Sequence, residues 1–247
     1  MAGKNKTLRW MRLFVGGYDL SGDARTFDRL ENGFAEADLT GWSEGVRNFL
    51  AGDARATGVR GFQAILNDAT TGALTLLKQT APTNRVLSML FGGGAEPAIA
   101  DPAYLLGAVQ MGDVAALDGL TPVLAADFLP EQGQFSDNSR NPFGVVLSPA
   151  TSLSATTNQA SVDHGASSAN GGHANLHITA SSGGTWAFKI EHSTNDSAWS
   201  TLISFTLTGS AIASERLTVS GTVNRYTRCV ATRTGGTVTP VCAFARS

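Results

Sequence analysis

Any chemistry in this chain must start from its four histidines, its glycine clusters or its acidic N-terminal stretch. His164, His173, His177 and His192 all fall in one stretch of the second half. Metal ligation by His173 and His177 needs both rings on one helical face, yet Leu176-His177-Ile178 reads as a strand, so surface or linker positions are expected for them. Gly92-Gly93-Gly94 follows an apolar run but lacks the lysine and the helix N-terminus that cradle a phosphate, so it reads as a turn. No GxSxG elbow, HExxH, P-loop or CxxC spacing occurs. Nothing pairs a nucleophile with a base, and the expectation is no enzyme, no metal and no cofactor.

Asp19, Asp23, Asp28, Glu31, Glu36, Asp38 and Glu44 make the first fifty residues acidic, interleaved with Arg25, Arg29 and Arg47. With no base or metal cluster beside them they read as a solvated, mixed-charge face rather than a catalytic pair. Trp186, Phe188, Ile190 and Trp199 suggest a sugar-stacking platform, but three of them alternate on one strand face, which favours core packing.

The elements that position these residues are mostly strands. Only 15% of the 247 residues are charged, 28 are glycine, and the second half is dense in Ser and Thr, as in a β-rich fold with many turns. A chain of this length holds one large or two modest domains without staples. A formal charge of -2 supplies no basic field for holding phosphates. The opening run MAGKNKTLRWMRLFVGGYDL is too short and too charged for a secretory segment or a membrane span, so a protein made and kept in a bacterial-type cytoplasm until assembly is expected.

Strand-like alternation runs from Arg9 to about Arg29, broken at Gly16-Gly17. Trp42, Val46, Phe49 and Leu50 fall at helical spacing and predict a short helix between Gly41 and Gly52. Ala56 to Asn67 predicts a strand, and ATTGALTLLKQ after Asp68 a short helix with Thr70 as its cap. NRVLSMLF reads as a strand buried on most sides, DPAYLLGAVQ is ambiguous between helix turn and strand, and 122–128 and 143–147 are further strands. Residues 148–174 are nearly all Ser, Thr, Ala, Asn and Gly, giving a linker or long loop. Six short strands follow, from Leu176 to Phe244, at the spacing of a β-sandwich or jelly roll. The expected organisation is therefore a first β domain with one or two short helices over 1–147, a linker over 148–174 and a sandwich over 175–247. If Gly235-Gly236 are the centre of a two-residue hairpin turn, Cys229 opposes Cys242 and Ala231 opposes Pro240 on paired strands. A disulfide is then geometrically allowed, with two reduced core thiols favoured.

The run LFVGGYDLSGDARTFDRLENGFAEADLTGWSEGVRNFLAGDARATGVRGFQAILND resembles the start of tube-type tail proteins of long-tailed bacteriophages. The shared order is a DLSG turn (Asp19 to Gly22), an acidic connector (Glu31 to Asp38), an FLAG-like segment (Phe49 to Gly52) and a strand ending Gly61-Phe62. KIEHSTNDSAWSTLISFT and SERLTVSGTVNRYTRCVATRTGG resemble the β-sandwich half of such phage proteins, through the hairpin from His192 to Trp199 and the turn from Gly221 to Tyr226.

The resemblance implies a tail tube (major tail) protein, or a related virion structural protein, with a tube-type β-barrel or sandwich followed by a second sandwich. It implies stacked homo-oligomeric rings, six chains favoured and three open, contacting other tail proteins, conducting DNA in transit and touching no membrane. Asp23, Asp28, Glu31, Glu36 and Asp38 would then form a lumen or inter-subunit acidic face, and Lys4, Lys6, Arg9 and Arg12 an inter-ring arm. A capsid decoration protein and a carbohydrate- or receptor-binding sandwich of the virion stay open as alternatives.

Overall fold

The computed structural model describes residues 10–38, 49–78, 83–118, 121–129 and 141–247. In chain order the elements there are β1 (Met11–Val15), β2 (Tyr18–Asp19), β3 (Ala24–Thr26), β4 (Arg29–Asp38), β5 (Phe49–Ile65), α1 (Ala73–Leu77), β6 (Thr83–Phe91), β7 (Pro102–Asp118), β8 (Thr121–Leu129), β9 (Phe143–Ser148), β10 (Thr157–Asn158), β11 (Val162–Asp163), β12 (Gly172–Ser181), β13 (Trp186–Ser193), β14 (Ser200–Ser204), β15 (Ala213–Val219), β16 (Tyr226–Arg233) and β17 (Val238–Arg246). The protein is mainly β, as its alternating runs and turn residues predict, and the sheets are antiparallel and open.

Twelve strands belong to one sheet, in the order β15-β12-β17-β9-β7-β6-β1-β2, with β3, β4, β5 and β8 joined to it through β7. The other five, β10, β11, β13, β14 and β16, form a second sheet. Three apolar layers result. Leu13, Val15, Phe62, Leu106, Leu124 and Phe128 pack with Leu76 and Leu77 of α1 in the first. Trp186, Phe188, Ile190, Cys229, Cys242 and Phe244 pack between the two sheets of the C-terminal sandwich. Phe14, Leu90, Leu105, Val146, Val241 and Ala243 form a layer between those two.

A strand lying between two layers has no solvent face, so its sequence loses alternation. In β17, Cys242 and Phe244 face the sandwich while Val241, Ala243 and Ala245 face the middle layer, which accounts for the continuous run VCAFA. β6 is placed the same way, with Leu87 and Met89 in the first layer and Leu90 in the middle one. The chain crosses the expected boundary near 148 inside this sheet, because β9 pairs with both β7 and β17. Residues 148–174 lie along the sandwich. β10 and β11 pair with β16, and Leu153 and Ser168 bridge to Val238 and Val223.

Three local expectations need correction. Phe49 to Gly52 lie in β5, where Leu50 and Ala51 oppose Ala37 and Glu36 of β4, so the helical spacing there yields to strand pairing; residues 41–48 of that prediction lie outside the described ones. The helix after Asp68 is α1, but Thr70 does not cap it. Its cap position is Gly72, and the Ala73 N–H is taken by Asp23 Oδ2 at 2.9 Å. Arg85 and Gln110 donate to the closing carbonyls of Leu76 and Leu77, so side chains from other elements satisfy both ends of a helix too short to stand alone.

The third concerns the last two strands. β16 and β17 do not pair with each other; β16 pairs with β13 and β17 with β12 and β9, in different sheets. The Gly235-Gly236 connection is an arch between sheets instead of a hairpin turn, because β17 must reach the middle layer to bury its second apolar face.

Candidate functional site

β5 and β7 each run for 17 residues, longer than one layer needs. The first half of β7 is flanked by β6 and β9, but beyond Gln110 its only partner among the described residues is β8. Among the described residues β4 pairs only with β5. Four strands therefore run in the order β4-β5-β8-β7, and among the described residues no further strand pairs with the outer side of β4 or with the last part of β7. A strand edge of this kind invites another strand. Ile65, Met111 and Leu117 are exposed on these same strands, Leu117 at 75%. Ile65 is in register with Val123 and Leu117 with Pro122, so these exposed side chains are spread over both faces of the sheet.

The β4–β5 ribbon is fastened at its root. Tyr104 of β7 donates its hydroxyl to the Glu31 carbonyl at 2.8 Å and accepts the Gly58 N–H at 3.1 Å, where Glu31 and Gly58 oppose each other. Burial pushes the Tyr104 phenol up to about 12, so it stays a neutral donor. The β5–β8 register shifts between Val59 and Phe62, a bulge made by Arg60 and Gly61. Gly61 has φ +62 and a Cβ there would overlap the Asp28 carboxylate, so this position requires glycine. Its N–H donates to Asp127 Oδ1 at 2.7 Å.

The predicted acidic face separates into distinct roles. Asp23 is drawn to α1, where its Oδ1 accepts from the Asn67 side chain at 2.8 Å and its Oδ2 from Ala73. Asp28 packs beside Gly61. Glu31 accepts from Arg29 and Arg60, both at 2.9 Å. Partial burial pushes the Glu31 carboxyl up, but the two guanidinium hydrogen bonds outweigh it and hold its pKa below the ordinary value. Arg60 also lies 4.0 Å from Asp127, so this patch is mixed in charge. Glu36 and Asp38 occupy the far half of β4. Of the basic arm, Lys4, Lys6 and Arg9 lie outside the described residues. Arg12 pairs with Glu96 at 2.6 Å on the rim of a cleft of about 710 Å³ lined by Phe14, Leu90, Ile99 and Pro149.

The histidines depart from expectation, since His173 and His177 are fully buried rather than on the surface or in a linker. His177 Nε2 lies 2.9 Å from Ser88 Oγ, which resembles a nucleophile and its base. The Gly17 N–H points at His177 Nδ1 at 3.3 Å, which leaves the ring proton on Nε2, donated to Ser88. A ring in that tautomer cannot take the serine proton, and both residues are 0% exposed, so the pair is a packing contact. Asn175 completes it by donating to the Leu87 carbonyl at 2.8 Å and to Ser88 Oγ at 3.1 Å while accepting from Arg216 at 3.0 Å. Among the described residues no group of three or more His, Cys, Asp or Glu could hold a metal ion, and no helix is long and apolar enough to cross a membrane.

Trp186, Phe188 and Ile190 are buried in the sandwich, with the Trp186 and Phe188 rings stacked at 6.3 Å. Trp199 instead lies on the other face, 4.1 Å from the Arg228 guanidinium, which forks onto Glu191 at 2.9 and 2.7 Å. Residue types alone did not single out Tyr104, Ser88 or Asn175. The available signal was polarity inside apolar runs, Ser88 within VLSMLF and Asn175 within HANLHI.

No protein family profile matches the chain, and no curated protein does. Among solved structures, the Dit (gp 19.1) protein of phage SPP1, described as a hub adsorption apparatus of phages infecting Gram-positive bacteria, is similar at 11% identity and a TM-score of 0.29, covering 95% of this chain and 98% of that one. Structures of infectious bursal disease virus follow. The Gx strain has 9% identity, a TM-score of 0.24 and coverage of 95% and 55%, and the Gt strain has 11%, 0.24, and 99% and 68%. Similarity at this level assigns neither a fold family nor a role.

Proposed function

We propose that this chain is a structural subunit of a bacteriophage virion, and within it the subunit of the tail tube. The observation that carries the reading is the β4-β5-β8-β7 sheet, whose two outer edges carry no further strand among the described residues. Strand directions alternate across these four, so the β7 edge of one copy meets the β4 edge of the next with antiparallel order kept. Repetition around an axis uses the same two edges in every copy and ends only when the ring closes, which removes all of them.

Six copies give roughly two dozen strands, well above the 16–18 that already leave an aqueous channel in closed barrels, whereas three give about a dozen. Six is therefore the preferred number for a channel that passes DNA. Strand alternation puts the Glu31, Arg60 and Asp127 face opposite the first core layer, on the side that would line the channel. The resemblance of Asp19 to Gly22, Phe49 to Gly52 and Gly61-Phe62 to tube-type tail proteins supports the same reading. On this reading the protein acts mechanically, in the virion, with copies of itself and other tail proteins as partners.

Negative-stain electron microscopy of the purified protein tests this directly. Rings or tubes with a central channel are expected. A uniform small oligomer that binds expanded capsid shells would assign the chain to capsid decoration instead.

A further inference from the structure

The core of the C-terminal sandwich holds two thiols that the proposed assembly does not use. Cys229 of β16 opposes Ile190 in one sheet, and Cys242 of β17 opposes Leu176 and Ser148 in the other. They are 1% and 0% exposed and belong to the same core cluster. An arch from one sheet to the other brings positions equally far from its midpoint face to face across the core. Gly235 and Gly236 flank that midpoint, and Cys229 and Cys242 are equidistant from it. Both side chains belong to the same apolar layer between the two sheets.

The arch is held firmly enough to keep this alignment. Arg233 Nε donates to the Gly236 carbonyl at 2.8 Å, the Thr237 N–H donates to Ser182 Oγ at 2.8 Å, and Gly236 packs against the Gly183 carbonyl so closely that a Cβ would overlap it.

We infer that Cys229 and Cys242 form a latent crosslink, a pair of thiols that two-electron oxidation converts into a stabilising disulfide joining the two sheets of the sandwich. With a small-molecule disulfide as oxidant, one cysteine thiolate attacks a sulfur of the reagent, forming a mixed disulfide and expelling one reagent thiolate. The second cysteine thiolate then attacks the protein sulfur of that mixed disulfide, forming the Cys229–Cys242 bond and expelling the other reagent thiolate. The two protons lost by the cysteines end on the two reagent thiols, and the reagent carries away the electron pair. Its neighbour Cys229 and burial both raise the Cys242 thiol well above its ordinary pKa, so that thiol stays protonated and the exchange waits for an opening of the core.

The test is incubation of the whole protein with oxidised glutathione, with and without mild warming, followed by tryptic mapping under non-reducing conditions. Trypsin cuts after Arg228, Arg233 and Arg246, which places the two cysteines on separate peptides. The expected result is a linked pair of those peptides in monomeric protein, an intact mass lower by two hydrogens, and a higher unfolding temperature that dithiothreitol reverses. Cys229→Ser and Cys242→Ser should show neither the link nor the rise, and if either fails to fold, the wild-type map still decides. Free thiols after warming, stable glutathione adducts on both cysteines, links between chains, or an intramolecular link without the rise would each overturn the inference.

Discussion

The hydroxyl of Tyr104 lies against the backbone of Gly58, accepting its N–H at 3.1 Å while donating to the facing carbonyl of Glu31. One side chain of β7 thereby fixes where the β4–β5 ribbon leaves the core. Tyr104→Phe keeps the ring and its edge contact with Phe143 but leaves a buried N–H without this partner. A loss of about 1–3 kcal/mol in urea unfolding is expected. Hydrogen exchange should rise at Gly58 and Val59 before it rises in the sandwich.

Assembly should depend on the exposed end of β7. Leu117→Asp puts a charge where 75% of the side chain is already solvated, so unfolding should shift by no more than about 0.5 kcal/mol. Rings and tubes should disappear in electron micrographs while the monomer keeps its β circular dichroism. Intact tubes would remove this edge from the lateral contact.

His177 gives the fold a pH dependence of determined sign. Burial depresses its folded-state pKa to about 3, so between that value and its ordinary 6.5 the unfolded chain binds a proton that the folded chain does not. Stability therefore falls as pH drops from 6.5 towards 3, by at most about 1.4 kcal/mol per pH unit from this residue. Chemical denaturation between pH 6.5 and 5, above the carboxylate range, should show the slope, and His177→Gln should reduce it by this residue's share, the remainder coming from His164 and His192, which burial depresses in the same sense.

Ala100 has φ 75, a left-handed conformation that costs a side-chain-bearing residue about 1–2 kcal/mol. Its N–H donates to the Val146 carbonyl at 2.9 Å and fixes the conformation. Ala100→Gly relieves the steric cost and adds unfolded-state entropy, for a net gain of up to about 1 kcal/mol. Gly236→Ala should do the opposite, because φ is +66 there and the Gly183 carbonyl occupies the space. Thermal unfolding of the two variants should move in opposite directions.

Strand positions and turns were legible in the sequence because side-chain alternation and turn chemistry are local. Trp186, Phe188 and Ile190 announced their shared buried face by spacing alone, and NRVLSMLF its burial on both sides by losing alternation. Pairing was not legible. Counting from Gly235-Gly236 set Cys229 opposite Cys242 on paired strands, whereas the two strands lie in different sheets; the count is the same for a hairpin and for an arch, and only the second apolar face of β17 decides between them. Phe49 and Leu50 have helical spacing that β4 overrides by offering a backbone partner. Asp23 is one acid among several until α1 supplies a free N–H, and Asn175 and His177 are polar residues of ordinary strand type until β6 brings Ser88 to them. The sequence by itself determined many of the strands, though not β4, the start of β5, β7, β10 or β11, and that no familiar catalytic motif is spelled out. The tertiary structure decided which strands pair and which polar groups are buried, because both depend on partners far away along the chain.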